Sequence, residues 1–322
     1  MPQITFEYFP QDNAEALVAL IDSDRAPQSL LCLVGAVTNG IPETFRAQTR
    51  IVYTADFVRS VNDRRTENRT EEYTRERGSG IVAGKTMGKQ PDGFVDILFP
   101  DDWITIEHTE DFLAMLRHLG AHEAIHATIH HIGDEPFDLS QREEFDYASL
   151  NFVSMAAEQV EEHLAEYLAN EVQFGTTGTG ADAQQVKQTF HAWQNALEVQ
   201  LPAIPEEDPD YFQKGMLVSF NALHILWKTL AYLAAEIRRD NRFEPVPTEI
   251  TTLTEWQNVV APWWDEYTSL LAEIPMTAHQ EISATDGVIK RLGLLLQRWA
   301  LAVGFDFHDT DQGGFFRITL WD

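Results

Sequence analysis

Read from its N-terminus, the chain changes its hydrophobic period near residue 109. Before that point the apolar residues come in short or alternating runs, at 3–9, 30–37, 50–53 and 94–99, separated by turn-forming residues. Runs of this length and pattern predict strands. From Thr109 the apolar positions recur at three- and four-residue steps: Phe112, Leu113, Leu116 and Leu119, then Ile125, Ile129 and Ile132, up to Gly133. That spacing is one face of a helix, and glycine is a natural stop. Gly120 is expected to break the stretch into two helices. Ser140-Gln141-Arg142-Glu143 has the spacing of a capping box and announces the next helix, through Leu150, Val153, Ala157, Val160, Leu164 and Leu168 to about residue 172.

Residues 174–180 are rich in Gly and Thr and read as a loop. Beyond them helices are expected over 183–199, 209–239, 252–274 and 279–303, with Pro202, Pro205, Pro209, Pro245 and Pro247 in the gaps. Pro262 should bend or split the third of these, because proline lacks the N–H that a helix interior needs. A strand is expected over 315–321. The pattern therefore predicts an α+β fold, with a small sheet and the first long helices in 1–175 and a mostly helical part over 176–322 that closes over the same cleft.

Composition narrows the function classes. Hydrophobic residues make up 44% of 322, enough for a sizeable core. The start has no basic region followed by an apolar stretch, and no apolar run reaches the roughly eighteen residues of a membrane span. The single cysteine, Cys32, excludes an internal disulfide. These features predict a cytoplasmic protein. With 51 acidic against 23 basic residues the formal net charge is −28. Such a field repels nucleic acid and anionic membranes and favours solubility, so neither is expected as a partner. It attracts basic peptides. Only six of the basic residues are lysine, a balance found in salt-adapted proteins and also in acidic binding surfaces. The mixed-charge run 59–77 reads as a solvated loop or frayed helix.

The sharpest chemical signal is His122-Glu123-Ala124-Ile125-His126. On a helix the two histidines lie one above the other and aim at a single point, and neutral imidazole suits zinc at about 2.0–2.1 Å. Glu123 then sits beside the metal, placed to take a proton from zinc-bound water and pass it to a leaving amine. His130 continues the stack, but four residues advance a helix by about 6 Å, too far for three turns to share one tetrahedral ion. His130 and His131 are expected to be helix-end groups or to support the ligands. A third ligand is expected from the next helix, where Glu162-His163-Leu164-Ala165-Glu166 begins 36 residues after His126.

This arrangement resembles the gluzincin metallopeptidases, and more narrowly the ImmA/IrrE group, whose second helix carries Glu-x-x-Ala-Asn/Asp-x-Phe/Leu-Ala. Glu162, Ala165, Leu168 and Ala169 match; Glu166 stands where Asn or Asp is usual, and Ile125 where Gly is usual. The resemblance covers about residues 80–172. It implies a zincin-like catalytic part and peptide hydrolysis. In it His122, His126 and Glu162 bind Zn2+ (with Glu161 the alternative third ligand), Glu123 is the base and Glu166 supports the site. It also implies an edge strand along which a peptide lies, for which 94–99 is the candidate. Tyr147, Tyr167 and His163 are the available oxyanion donors. Two rival readings belong to other classes: a regulatory zinc-fold protein with little or no activity, and an acidic interaction module in which the motif is incidental. Asp306, Asp309 and Asp311 before two glycines lack the spacing of a calcium loop. Trp256, Trp263 and Trp264 read as core or groove walls, and His224 as a satisfied core histidine.

Overall fold

Alternation along two strands sets up the first unit of the fold. Ile51 and Tyr53 face one side of a sheet and Val52 the other; Ile97 and Phe99 are separated from Leu98 in the same way. Side chains alternate with period two along a strand, so a sheet with apolar residues on both sides must be covered on both faces. The structure, a computed structural model, describes residues 1–22, 25–65, 73–77, 80–105, 109–133, 146–172, 182–205, 207–239, 242–275, 283–310 and 313–319. The fold is α+β. The chain divides into two units, Met1–Asp134 with Leu168–Thr179, and Glu135–Tyr167 with Gly180–Asp322.

In the first unit β1 (Gln3–Glu7) is followed by α1 (Gln11–Asp22), α2 (Gln28–Gly40), β2 (Thr49–Thr54) and α3 (Phe57–Arg64). Then come β3 (Lys85–Met87), β4 (Val95–Pro100) and α4 (Glu110–Ile132). The four strands form one mixed sheet in the order β1-β2-β4-β3. The first three are parallel and β3 is antiparallel to β4, with Thr86 opposite Ile97. Leu30, Leu33 and Val37 of α2 join Leu113, Leu116, Ala124 and Ala127 of α4 over one face. Phe57 and Val61 of α3 cover the other.

Three expectations are corrected here. Residues 30–37 are helical, not extended: Leu30, Leu33 and Val37 are buried while Leu31 is 42% exposed, a helical period hidden inside an unbroken apolar run. Gly120 does not break its helix, since α4 runs through it. A Cβ there would lie 2.9 Å from the Ala36 Cβ and 3.0 Å from the Leu33 carbonyl oxygen, so the glycine serves the close approach of α2. The expected edge strand 94–99 is β4, which is paired on both sides; the edges of the sheet are β1 and β3.

The second unit is mostly helical: α5 (Tyr147–Val172, belonging here as far as Tyr167), α6 (Ala183–Asn195), α7 (Tyr211–Ile237), α8 (Ala261–Ala272) and α9 (Ser283–Ala302). Phe152, Phe190, Leu226, Trp227, Tyr267 and Trp299 form its core. A π turn, Trp256–Val260, precedes α8, whose second residue is Pro262; the Trp299 indole N–H donates to the Val259 carbonyl at 2.7 Å there. The expected final strand is β6 (Gly313–Ile318), and its antiparallel partner β5 (Phe305–Thr310) was not foreseen. Asp146 caps α5, accepting from the Ser149 N–H at 2.7 Å, and Asp309 of β5 adds a second acceptor, for the Tyr147 N–H at 2.6 Å. The expected capping box at Ser140–Glu143, the loop 174–180 and Asp311 lie outside the described residues. Among the described residues α7 alone has the length and hydropathy of a span, and half of its most apolar window is buried, as in a core helix.

Candidate metal centre

Helix α4 carries the motif because its ends are well made. The Thr109 hydroxyl accepts from the Phe112 N–H at 3.2 Å, and Glu110 and Asp111 complement the positive end of the helix dipole. At the far end Gly133 takes φ 128°, a conformation suited to glycine, and its N–H returns to the Ile129 carbonyl. Between these ends His118, His122, Glu123 and His126 are all buried.

The Nε2 atoms of His122 and His126 lie 3.1 Å apart, with ring centroids at 4.8 Å and planes at 68°. A tetrahedral zinc ion with bonds near 2.05 Å holds its donor atoms about 3.3 Å apart. The two nitrogens are therefore spaced as such an ion needs them. One turn earlier, His118 offers a ring nitrogen within 4.8 Å of one on His122. Its place four residues before His122 was a legible signal that the motif reading passed over.

Glu123 is fixed from the sheet. The Thr86 hydroxyl of β3 lies 2.7 Å from its Oε2 and 3.0 Å from its carbonyl oxygen. Gly84 lets the chain pass there, since a Cβ would come within 2.9 Å of the Phe99 ring and 3.2 Å of the Glu123 Cγ. His131 is a structural helix-end group. Its Nε2 is 2.9 Å from the Thr49 Oγ1 and its ring stacks on Phe45 at 4.8 Å. Burial, with the charges of Lys89 and His130, lowers its pKa to about 4.

The first unit thus brings together His122, Glu123 and His126; Glu162 and Glu166 belong to the second. There they lie one turn apart on α5. Both oxygens of Glu162 are engaged by α7: Lys228 donates to Oε1, and the Tyr232 hydroxyl donates to Oε2 at 2.7 Å. One turn back, Glu158 lies 3.2 Å from His224, so His224 is a half-buried paired group and not the core histidine expected.

Glu166 and His163 are buried. His163 Nδ1 donates to the Ala231 carbonyl at 3.2 Å, while Nε2 accepts from Arg238 at 3.1 Å. Burial and the neighbouring guanidinium lower its pKa to about 3. With both nitrogens occupied it is a core group and a poor oxyanion donor. Tyr167 is buried against the Arg238 guanidinium, and Tyr147 is exposed, its ring beside Phe307. Thr86, Lys228 and Tyr232 were missed by sequence reasoning. For the last two the signal was polar residues spaced four apart on an apolar helix.

No family model, curated protein or solved structure matches this chain.

Proposed function

We propose that the protein is a zinc-dependent metallopeptidase of the cytoplasm, with His122 and His126 as two ligands and Glu123 as general base. The observation that carries this reading is the pair of buried Nε2 atoms 3.1 Å apart on one helix face, with a buried carboxylate following the first of them. Glu162 is the third ligand by its spacing in the sequence and by resemblance to the gluzincins, with Glu166 in support. Zinc, when bound, supplies Lewis acidity toward water and a scissile carbonyl. The chain's own contribution is to hold Glu123 at a fixed angle through Thr86, ready to take a proton at one oxygen and return it to the leaving amine. The edge strand that the resemblance calls for is β3, which carries Thr86 and ends the sheet. Its substrates are peptides, and the net charge of −28 favours basic ones.

Metal analysis of the purified protein, with the His122→Ala and Glu162→Ala variants, tests the ligand set. The reading expects about one zinc per chain, lost in both variants. Glu123→Gln should keep the zinc and lose hydrolysis of a basic peptide pool. An absence of zinc in every form, even after it is added back, would sink the reading and leave an acidic binding protein.

A further inference from the structure

Helix α7 is the most apolar long segment of the chain, yet it carries one of only six lysines. Lys228 sits between Trp227 and Thr229, both buried, and its side chain remains 36% exposed. Its ammonium pairs with Oε1 of Glu162 and lies 5.7 Å from the centre of the Tyr232 ring. The Tyr232 hydroxyl holds Oε2 of the same carboxylate at 2.7 Å. The contacts between α5 and α7 advance together, Glu158 to His224, then Glu162 to Lys228, then His163 to Ala231, so the two helices run side by side past this carboxylate.

A carboxylate offers each oxygen to a limited number of partners, and a cation on one oxygen competes with any second cation there. Tyrosine is neutral at ordinary pH and donates one hydrogen bond, so it orients the carboxylate without competing for charge. We infer that Lys228 and Tyr232 are opposed positioning residues for Glu162: Tyr232 fixes the carboxylate through Oε2, and Lys228, paired with Oε1, competes with any second cation that the carboxylate takes. Metal uptake by Glu162 is then an exchange of one cation for another, and Lys228 sets its affinity. This inference rests on the reading of Glu162 as a zinc ligand.

The experiment is zinc affinity by chelator competition on the full chain, for Lys228→Met, Lys228→Arg and Tyr232→Phe, each with Glu162 and with Glu162→Gln. Thermal melting checks that each variant folds; Lys228→Gln replaces Lys228→Met if the latter does not. Removing the competing charge should tighten zinc binding about three- to fivefold, the range of a part-exposed ion pair, and Lys228→Arg should restore the wild-type value. Losing the orienting hydroxyl should weaken binding about tenfold. Both effects should vanish in the Glu162→Gln background. If Glu162→Gln weakens zinc binding but Lys228→Met leaves it unchanged or weaker, the exchange is wrong and the ligand assignment stands. If Glu162→Gln leaves zinc affinity unchanged, or the wild type binds no zinc, both fall together.

Discussion

The Thr86 hydroxyl lies 2.7 Å from the Oε2 of Glu123, tying the edge strand β3 to the acid of the His122–His126 motif. A buried carboxylate without a donor loses both its orientation and a charge-assisted hydrogen bond. Thr86→Val keeps the shape of the side chain and removes only the donor. It should leave zinc content unchanged, lower peptide hydrolysis by about 10- to 100-fold and cost about 1–3 kcal/mol of stability. Thr86→Ser should recover most of both. Full activity in Thr86→Val would show that the sheet does not position Glu123.

Two glycines let α2 and α4 meet, and they should behave oppositely to a third. Alanine in place of glycine in a helix interior is worth about 1 kcal/mol where there is room. At Gly120 a Cβ would lie 2.9 Å from the Ala36 Cβ, and at Gly40 2.7 Å from the Ala124 Cβ. Gly120→Ala and Gly40→Ala should each destabilise by about 1–3 kcal/mol through overpacking. Gly287 on α9 has nothing within 4 Å, so Gly287→Ala should stabilise by about 0.5–1 kcal/mol. Denaturant midpoints would decide it; equal shifts at all three positions would contradict the packing argument.

What could be read from the chain alone follows the same physics. Long helices with apolar residues at three- and four-residue steps, such as 110–132 and 211–237, declare themselves by that step, although residues 120–129 of the first are buried on every side. The motif residues were legible because two histidines and a glutamate sit within one and a half turns of helix. Residues 30–37 misled because a fully apolar run has the same composition in a strand as in a buried helix. Gly120 misled because its role is set by Ala36 and Leu33, which are remote in sequence. The place of β4 in the middle of the sheet, the contact of Thr86 with Glu123, and the hold of Lys228 and Tyr232 on Glu162 are long-range pairings. A local pattern carries no record of them.

Arg238 is buried with 1% of its surface exposed, and it closes the end of α8. Its guanidinium donates to the carbonyls of Leu271 at 2.8 Å, Ala272 at 3.2 Å and Ile274 at 3.3 Å. Helix ends leave carbonyls unpaired, and a planar fork of donors can serve several at once. Burial lowers the pKa of this arginine to about 10, which still leaves it charged at neutral pH. Arg238→Leu should therefore destabilise the protein by about 2–4 kcal/mol, because the Ala272 and Ile274 carbonyls and His163 Nε2 lose this donor while the Leu271 carbonyl keeps the Ile274 N–H. Arg238→Lys should recover only part of that, because one ammonium cannot span three carbonyls. A change within 1 kcal/mol for Arg238→Leu, by the ~1 kcal/mol scale of a single hydrogen bond, would mean that water serves these carbonyls instead.

The pH dependence of stability has a traceable source in His131. Its folded pKa lies at about 4, below the ordinary histidine value of 6.5, because burial opposes its charge and Lys89 and His130 add repulsion. Thr49 and the Phe45 ring are its other neighbours. Between those two values the unfolded chain binds the proton that the folded chain refuses, so stability rises with pH across that window. The contribution is complete above about pH 6.5 and is lost as pH falls toward about 4. Since His131 is only half-buried, screening reduces the effect to about 1 kcal/mol. His131→Gln, which keeps a group able to reach Thr49, should flatten the fall in melting temperature between pH 7 and pH 4.5 by that amount. Lys89→Met should give a smaller change of the same sign. An unchanged slope in His131→Gln would assign the acid sensitivity to other groups.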